Sequence, residues 1–579
     1  MIKNSQQGQT IIIAALVIML VSAIVLATVA PVAASQLQRT ADLNRSKQSL
    51  YVAEAGLGDV VYRLSSGWEV DQVESYDLAE AEVEITTEQL AGGLTRVTAI
   101  GDLNNRIRVM EAELTVGTGV AFNYGIQAGQ GGFELSGSSG VIGNVYSNND
   151  ILGSGASFIT GSAIAAGSPE IWLGAGNEES AELTTDLQFG QAKETEDVAI
   201  KFSTTETDFL NSIEVYLKQE GNPSDLTAKI VLDENNQPGT TVIAQANLNQ
   251  SEVNSDYDWI TVEFNNQPAL FADEAYWLVL DGGSHHSRFY YWGAGTGSVV
   301  MTGQYGGDWI VISEVEAYYR INLGGKNSLI SDSKIGTDGE GDAHAYTVNN
   351  SEVEGNLYCQ EGSGNNKTCD TSQTLPEPEP FPIEQSQIDF WKSQAEAGEV
   401  IAGDVSVGGV DQTELGPAKI EGNLSINNSG VLTVTGTLWV TGDISLTGSA
   451  KLKLDPLYGS DSGVVIADGR VTLGGSAPVE GSGHSDSYIL LLTTSMCPLG
   501  LDCGNGSAVN ITGASGAIIL NAQKGTINFS GSAHANEATA HRITMSGATT
   551  VTYDSGLANI NFTSGPSGGP AVVRWREVE

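Results

Sequence analysis

A long apolar run near the N-terminus constrains the fold of this chain more than any other feature. Residues 11–34 include no charged side chain, and only Lys3 is charged before them. A helix of about 20 apolar residues is long enough to cross a bilayer. A secretory signal peptide would have a shorter apolar core that ends at a small-residue cleavage site. The run therefore predicts a transmembrane helix rather than a cleaved signal.

The helical pattern continues beyond this run. Leucines recur seven residues apart, at positions 43, 50, 57 and 64. The charged residues Arg45 and Asp59 fall outside this stripe, as they would on an amphipathic helix. We therefore predict one stem helix over 9–66 that is transmembrane first and amphipathic after.

Short motifs on either side of the apolar run resemble those of type IV pilin-like proteins, particularly the PilX-type minor pilins. The residues that carry this resemblance are Gly8, Gln9 and Thr10 before the run and Tyr51, Ala53, Glu54, Ala55 and Gly56 after it. The resemblance covers about the first 65 residues of the chain. It implies a prepilin-type leader over 1–8, which a prepilin peptidase would remove by cutting between Gly8 and Gln9.

One position departs from the pattern of the family. Major pilins usually carry a glutamate at the fifth residue of the mature chain, where this sequence has Ile13. The departure favours a minor pilin over a filament-forming major subunit. An ordinary single-pass membrane anchor is the alternative interpretation of the N-terminal segment.

Three runs of alternating polar and apolar residues follow the stem, at 79–87, 95–100 and 106–116. Such alternation places the apolar side chains on one face of a strand. The runs predict a small antiparallel sheet over 67–117 that packs against the helix. The resemblance implies the same arrangement, since a helix with a small antiparallel meander is the usual pilin head.

Short apolar segments separated by glycine, serine and asparagine fill three further stretches, 118–169, 325–374 and 401–579. Very short strands between glycine turns predict rungs that stack into a solenoid with a continuous core. We expect a right-handed parallel β-helix, and a β-sandwich of short strands is the alternative. A proline-rich break and a short helix over 375–400 precede the last stretch.

Longer, aromatic-rich strands over 170–324 predict a separate β-sandwich inserted into the solenoid. This region resembles the jelly-roll "choice-of-anchor" modules of bacterial surface proteins. The segments that carry the resemblance are Leu226-Ala228-Ile230, Gln237-Pro238-Gly239, Ala275-Tyr276-Trp277-Leu278-Val279-Leu280-Asp281 and Tyr290-Tyr291-Trp292-Gly293. The expected fold class is thus mainly β, with a long N-terminal helix, a small antiparallel sheet, an inserted sandwich and a β-helix-like solenoid.

The charge balance bears on the partners of the protein. The chain has 70 acidic and 26 basic side chains, a formal net charge of −44 at pH 7. A surface of this sign repels phosphate backbones, so we expect no binding to nucleic acid.

The four cysteines form two pairs that are close in sequence. Cys359 and Cys369 bracket one short loop, and Cys497 and Cys503 bracket another. Neither pair has the spacing of a zinc site or of a redox motif. We expect two disulfides in an oxidising compartment rather than free thiols, although the spacing alone leaves the pairing open.

Two groups of residues are candidates for ligand binding. Tyr290, Tyr291, Trp292 and Trp309 would form a surface for stacking sugars or binding protein if they were exposed together, and a place in the core is the alternative. Asp338, Glu340 and Asp342 alternate with glycines and form a weak calcium candidate, for which an ordinary surface loop is the alternative.

No catalytic motif stands out in the chain. His285 and His286 lack a third metal ligand at diagnostic spacing. The sequence His484-Ser485-Asp486 contains the residue types of a catalytic triad but lacks a nucleophile elbow. We therefore expect no enzyme activity and no cofactor.

These features together predict a non-catalytic minor pilin-like surface protein. Its helix would anchor it in the cell membrane by a single pass, with an extracytoplasmic β-rich head for pilus assembly, pilus-tip display or adhesion. The expected partners are the membrane, other pilin subunits, the pilus assembly machinery and a surface glycan or protein. The alternatives are a membrane-tethered envelope protein that never enters a pilus and a β-helix enzyme that acts on polysaccharide.

Overall fold

Strands dominate the protein, which is mainly β apart from one long and one short α-helix in its described residues. The computed structural model describes residues 6–65, 70–78, 81–90, 94–115, 118–177, 185–191, 194–283, 287–297, 301–305, 308–498, 503, 506–513, 518–563 and 571–578. The chain divides into two units, Met1–Thr118 with Ser567–Glu579, and Gly119–Pro566.

The first unit consists of a 60-residue helix, α1 (Gln6–Ser65), and an antiparallel sheet. Four strands follow the helix in order, namely β1 (Val73–Leu78), β2 (Ala81–Leu90), β3 (Leu94–Asp102) and β4 (Ile107–Thr115). The C-terminal strand, Ala571–Val578, pairs antiparallel with β4 and completes the sheet. The chain therefore leaves this unit after β4 and returns to it at the end.

The second half of α1 packs on one face of this sheet. Ala53 and Leu57 are fully buried against Val83 and Val97 in a shared apolar core. The alternating residues of β2 supply this face, because its apolar side chains point inward while its glutamates point outward.

The expectation of a transmembrane helix is wrong for the part of the chain that the structure describes. No helix among the described residues is both long and apolar enough to cross a membrane. Helix α1 carries Arg39 and Asp42 on described turns. The side chains of residues 11–13 and 22–33 of the expected span lie outside the described residues.

The second unit is built on a solenoid of short parallel strands, and most rungs of the solenoid contain three strands. Its strands, with the short Thr118–Val120 and Ile560–Phe562, are Ile126–Leu135, Gly140–Ile142, Val145–Ser147, Ile151–Gly153, Phe158–Ile159, Ala163–Ala165, Leu329–Ser331, Lys334–Ile335, Ala343–His344, Thr347–Asn349, Glu352–Val353, Leu357–Tyr358, Glu361–Ser363, Glu399–Ala402, Val405–Val407, Gln412–Leu415, Ala418–Glu421, Leu424–Ile426, Val431–Val434, Leu438–Val440, Ile444–Leu446, Lys451–Leu454, Gly463–Ala467, Val471–Leu473, Val479–Glu480, Ile489–Thr493, Val509–Ile511, Ile518–Phe529, His534–Ala535, Glu537–Met545 and Thr550–Thr552. Short 3₁₀ turns lie at Gln250–Glu252, Pro456–Tyr458 and Ser555–Asn559.

The spatial order of the rungs differs from their order in the chain. The rungs from Glu399–Ala402 onward stack upward to Glu537–Met545, which then pairs in parallel with Ile126–Leu135. The rungs that come first in the sequence thus lie above those that come last. One column of buried side chains runs through both parts, in the order Leu424, Ile444, Val471, Val509, Ile527, Ile543, Phe133, Ile151, Ile330 and Val348.

A β-sandwich is inserted within one rung of this solenoid. Ala163–Ala165 and Leu329–Ser331 stack on consecutive strands of the rung below, and the sandwich occupies the chain between them. Its strands are Ser168–Gly176, Thr185–Phe189, Asp197–Phe202, Asp208–Glu220, Leu226–Glu234, Gln237–Leu248, Asp258–Glu263, Ala269–Leu270, Tyr276–Asp281, Phe289–Gly295, Met301–Tyr305, Asp308–Ile312, Glu316–Ala317 and Tyr319–Lys326. They form two sheets of eight and six strands around one apolar core.

A proline-rich strap, residues 375–383, crosses the outer surface of the solenoid. The side chain of Asn148 donates to the Glu379 carbonyl at 2.8 Å and accepts from the Glu379 N–H at 2.9 Å. The strap leads into helix α2 (Gln385–Glu396), which buries Ile388 and Trp391 against solenoid strands.

Candidate functional site

The outer surface of the eight-stranded sandwich sheet carries a cluster of aromatic side chains. We call this cluster the aromatic face, and its members are Tyr216, Tyr257, Trp259, Tyr291 and Tyr318. Each is partly exposed. Tyr216, Trp259 and Tyr291 lie on strands, and residue alternation places their side chains on the same side of the sheet. Tyr257 and Tyr318 each come directly before a strand and complete the cluster.

Tyr216 lies at the centre of the aromatic face. Its ring is stacked on Tyr257 at 5.2 Å between centroids, is tilted against Trp259 at 5.4 Å, and meets Tyr318 edge-on at 6.3 Å. These distances lie in the range in which aromatic pairs attract one another. The rings therefore hold one another in place and form a pre-organised surface.

Two cations pack on the rings. The Lys218 ammonium lies 4.4 Å from the Tyr257 centroid and 4.8 Å from that of Tyr291. The Arg320 guanidinium lies 4.2 Å from the Trp259 centroid. Cations at such distances are attracted by the ring quadrupole. The aromatic face therefore has positive charge beside its apolar rings.

Acidic groups balance these cations and orient the rings. The Tyr257 hydroxyl donates to Asp186 at 2.8 Å, and Lys218 approaches the same carboxylate at 3.1 Å. Burial alone would raise the pKa of Asp186, but the hydrogen bonds from Tyr257 and Lys218 bring it below its ordinary value. Burial and the bond to Asp186 raise the pKa of Tyr257. At neutral pH the tyrosine is thus neutral and the carboxylate is charged.

This arrangement is suited to binding rather than to bond chemistry. Flat rings can stack on the apolar face of a sugar ring or on a side chain of a partner, and the flanking Lys218, Arg320 and Glu214 can bind polar groups. Arg320 donates to Glu214 at 2.7 Å, so both side chains are already oriented.

Of the four aromatics singled out from the sequence, the structure places only Tyr291 on this surface. Tyr290 and Trp292 lie fully buried in the sandwich core. The Tyr290 hydroxyl donates to the Ser224 carbonyl at 2.6 Å, and the Trp292 N–H donates to the Tyr318 carbonyl at 2.9 Å. Trp309 packs against Trp277 in a small cluster on the other sheet. Because adjacent residues of a strand point to opposite faces, Tyr291 lies on the outer side of the sheet and its neighbours Tyr290 and Trp292 lie on the core side.

Tyr216, Tyr257 and Tyr318 escaped the sequence analysis. For Tyr216 the available signal was the alternation within its strand. Tyr216 lies between Val215 and Leu217, which are both buried, so its side chain must point to the opposite face.

The calcium candidate is not supported by the structure. Among the described residues, no group of three or more histidine, cysteine or acidic side chains could hold a metal ion. Asp338 and Glu340 lie exposed in a turn closed by Thr337 and Glu340. The Asp342 carboxylate accepts from the Asn356 N–H of the next rung at 2.6 Å. Its role is therefore to link rungs.

The remaining predicted residues are placed as follows. The structure joins Cys359 to Cys369 and Cys497 to Cys503 by disulfides. Gly8 and Gln9 lie in the first turn of α1. Of the residues 51–56 that carry the N-terminal resemblance, Ala53 and Gly56 face the sheet, whereas Tyr51, Glu54 and Ala55 are exposed.

His484, Ser485 and Asp486 are not arranged as a catalytic triad. The Ser485 hydroxyl donates to Asp486 at 3.2 Å, and the Asp486 N–H donates to Nδ1 of His484 at 3.4 Å. A nucleophilic serine would have to donate to the histidine instead. His285 and His286 lie outside the described residues.

Comparisons with known proteins give a weak likeness. No protein-family model and no curated protein sequence matches the chain. Among solved structures, the competence-associated pilin ComZ from Thermus thermophilus is similar at 9% sequence identity, over 92% of this chain and 97% of that chain, with a TM-score of 0.20. A TM-score of this size does not establish a common fold.

Proposed function

We propose that this chain is a non-catalytic, pilin-like surface protein. Its first unit would join an assembly of similar subunits, and its second unit would be a displayed binding head. The observation that carries the proposal is the apolar surface that α1 extends away from its sheet. All six side chains of residues 16–21 are at least 52% exposed, and Leu37 and Leu43 are 72% and 63% exposed.

Apolar side chains on all sides of a helix are normally covered by a partner. Other helices of the same kind would provide that cover, as stems do in a pilin assembly. The described charges of α1 lie farther along the helix, from Arg39 onward. We therefore place the contacts with other subunits on the apolar first part of the helix.

The organisation of the sheet supports a display role. The second unit leaves the first after β4 and returns at Ala571–Val578, and these two strands are neighbours in the sheet. Glu111 of β4 and Arg576 form an ion pair at this closure. A large insertion between adjacent strands can serve as a head without interrupting the helix-on-sheet module.

The aromatic face supports a binding role for this head, and we propose a surface glycan as its ligand. Stacking on Trp259 and Tyr291 would contribute most of the affinity, since both rings are partly exposed beside cations. Trp259→Ala in the full chain is expected to weaken binding about tenfold for a polysaccharide that the wild-type chain binds. Trp309→Ala, on the other sheet, is the matched control and should leave binding unchanged.

The N-terminus of the protein purified from its native envelope tests the assembly role. Intact-mass and N-terminal analysis should find a mature chain that begins at Gln9. Gly8→Leu should abolish this cleavage, while Gly58→Ala, a change at another glycine of α1, should not. A chain that keeps its first eight residues would contradict the pilin-like proposal.

A further inference from the structure

A cavity of about 250 Å³ lies where the inserted sandwich meets the solenoid. We call it the junction cleft. The sandwich contributes Phe209, Asn266, Gln267 and Lys326 to its wall, and the solenoid contributes several residues from four successive rungs. Both walls belong to the same unit of the chain.

Direct contacts hold the two walls of the junction cleft together. Lys524 of the solenoid forms an ion pair with Glu274 of the sandwich. The rings of Phe271 and His541 meet edge-on at 4.9 Å between centroids. Gln130 donates from its side-chain amide to the Thr207 carbonyl at 3.0 Å. The cleft is therefore a formed site rather than a gap between loosely joined modules.

The charge of the junction cleft is opposite to that of the chain. Its lining includes Lys326, Lys524 and Arg542, and none of its described lining residues is acidic. The whole chain, in contrast, has 70 acidic and only 26 basic side chains. Three cations in one cavity lining are therefore unexpected from composition, and they favour a negatively charged occupant wherever their charge is not already balanced by a neighbouring carboxylate.

The three cations differ in how far their charge is already balanced. Lys524 pairs with Glu274, and Arg542 pairs with Glu134 at 2.8 Å, outside the described lining. Lys326 lies over the ring of Phe209 at 4.6 Å. Burial raises the pKa of the half-buried Asp150, and the charge of Lys326 offsets part of this rise. Among the described ion pairs Lys326 has no partner within 4.0 Å, so it is the cation best placed to bind an anion.

Neutral polar groups complete the lining. The side-chain amides of Gln130, Asn266 and Gln267 can donate and accept hydrogen bonds. Nδ1 of His541 is buried with no hydrogen-bond partner among the described residues. Burial, aided by the charge of Arg542, lowers the pKa of His541 to about 4, so its ring is neutral at pH 7. A buried nitrogen of this kind is costly unless a ligand or water reaches it.

We infer that the junction cleft binds one acidic sugar residue, such as a uronic acid, with Lys326 at its carboxylate. The volume is suited to a single sugar ring, and the side-chain amides of the lining match its hydroxyls. An inorganic anion would leave these amides unused. The inference rests on the head as a binding module and is independent of the role of α1.

Calorimetric titration of the full chain with glucuronate, glucose and inorganic phosphate tests this assignment. Glucuronate should bind measurably, whereas glucose, which has the same ring without the carboxylate, should not. Lys326→Gln should weaken glucuronate binding about tenfold, the effect of losing one charge-assisted hydrogen bond. Lys451→Gln, which breaks a lysine–glutamate pair elsewhere on the solenoid, is the matched control.

Each outcome decides for or against the inference. Equal binding of glucose, or undiminished binding by Lys326→Gln, would overturn the role of the carboxylate. Phosphate that binds as tightly as glucuronate, and is insensitive to Gln267→Ala, would overturn the sugar assignment. Unchanged thermal unfolding of Lys326→Gln excludes a folding defect, and the exposed Arg542→Gln provides a second variant. The N-terminal analysis and Trp259→Ala test the proposed function separately.

Discussion

Asp197 and Asp281 face each other across neighbouring antiparallel strands of the sandwich. Lys229 contacts only Asp281, at 2.8 Å. Burial, reinforced by the negative charge of Asp281, raises the pKa of Asp197 to about 7. Burial also acts on Asp281, but its hydrogen bond from Lys229 holds its pKa below the ordinary value. Near neutral pH the pair therefore shares one proton, held mainly by Asp197.

This shared proton predicts a pH-dependent cost to stability. The folded pKa of Asp197 is above the unfolded value of about 3.9, so its stabilising contribution is complete below pH 4 and is lost as the pH rises through 7. Asp197→Asn keeps a neutral side chain at every pH. At pH 8 we expect the variant to exceed the wild type in unfolding free energy by about 1–2 kcal/mol, since solvent screening reduces the full effect.

Thermal unfolding between pH 4 and pH 9 measures this difference. The two proteins should converge at pH 4, and the exposed Asp256→Asn should follow the wild type throughout. A gain in stability for Asp197→Asn that is equal at pH 4 and pH 8 would show that charge on Asp197 is not the cause.

The aromatic face was only partly predictable, and the reason also lies at the scale of single residues. The segment Tyr290-Tyr291-Trp292 is conspicuous because its aromatics are adjacent, but adjacent residues of a strand point to opposite faces. Only Tyr291 can therefore share a surface with Tyr216 and Trp259. The partners of Tyr291 lie on strands that neighbour its own only after the sheet has formed, so spacing along the chain does not reveal them.

At the scale of elements, the contact between α1 and its sheet depends on small residues. A Cβ atom added to Gly101 would lie 2.2 Å from the Ser49 carbonyl oxygen, and one added to Gly56 would lie 2.7 Å from Val83. Ala53 is fully buried in the same contact. Ala53 and Gly56 thus have a physical role here, because they let the helix backbone approach the strands.

Gly56 and Gly58 give a matched pair of substitutions on this helix. Gly56→Leu should destabilise the first unit by about 1–3 kcal/mol, because the new side chain has no room against Val83 and Ile85. Gly58→Ala should stabilise it by up to about 1 kcal/mol, since nothing lies within 4 Å of the added Cβ and alanine favours the helix.

Hydrogen exchange of the β2 and β3 amides is the appropriate measurement, because a chain of two units need not unfold in one transition. Protection of these strands should fall in Gly56→Leu and be kept or increased in Gly58→Ala. Equal protection in both variants would mean that α1 does not stabilise the sheet through this contact.

The elements themselves were predictable where the local pattern is strong. The alternation of β2, the glycine-separated solenoid strands and the heptad leucines of α1 each follow from side-chain periodicity. The sandwich strands run from Ser168 to Lys326, close to the expected 170–324. The prediction of a transmembrane helix was wrong. It rested on the hydropathy of the sequence alone, and no helix among the described residues is long and apolar enough to cross a membrane.

At the scale of the whole molecule, the spatial order of the solenoid rungs could not be predicted from the sequence. Ile543 pairs with Phe133, and Arg542 with Gly132, across most of the chain. A solenoid rung presents much the same hydrogen-bonding edges as any other rung, so local sequence predicts its existence but not its neighbour. The stacking of the last rungs beneath the first is therefore a property of the assembled core.

The sandwich enters and leaves this solenoid at a single point. Ser168 and Lys326, its first and last strand residues, pair with each other. At Gly167 an added Cβ would lie 2.8 Å from the Lys326 carbonyl oxygen and 2.8 Å from the Ser328 N–H nitrogen, so the two ends of the insertion are in contact. Ala163–Ala165 and Leu329–Ser331 keep their own partners in adjacent rungs.

Because the ends meet, the sandwich should be removable without loss of the solenoid. Replacing residues 168–326 by a short glycine–serine link should leave a folded chain with both disulfides and cooperative thermal unfolding. Its stability should fall only modestly, since the lost contacts are those of the junction, such as Phe271 with His541 and Lys524 with Glu274. The same deletion removes Lys326 and one wall of the junction cleft, so glucuronate binding should disappear. A deletion chain that cannot fold would mean that the inserted sandwich, although closed at one point, is needed to stabilise the rung that carries it.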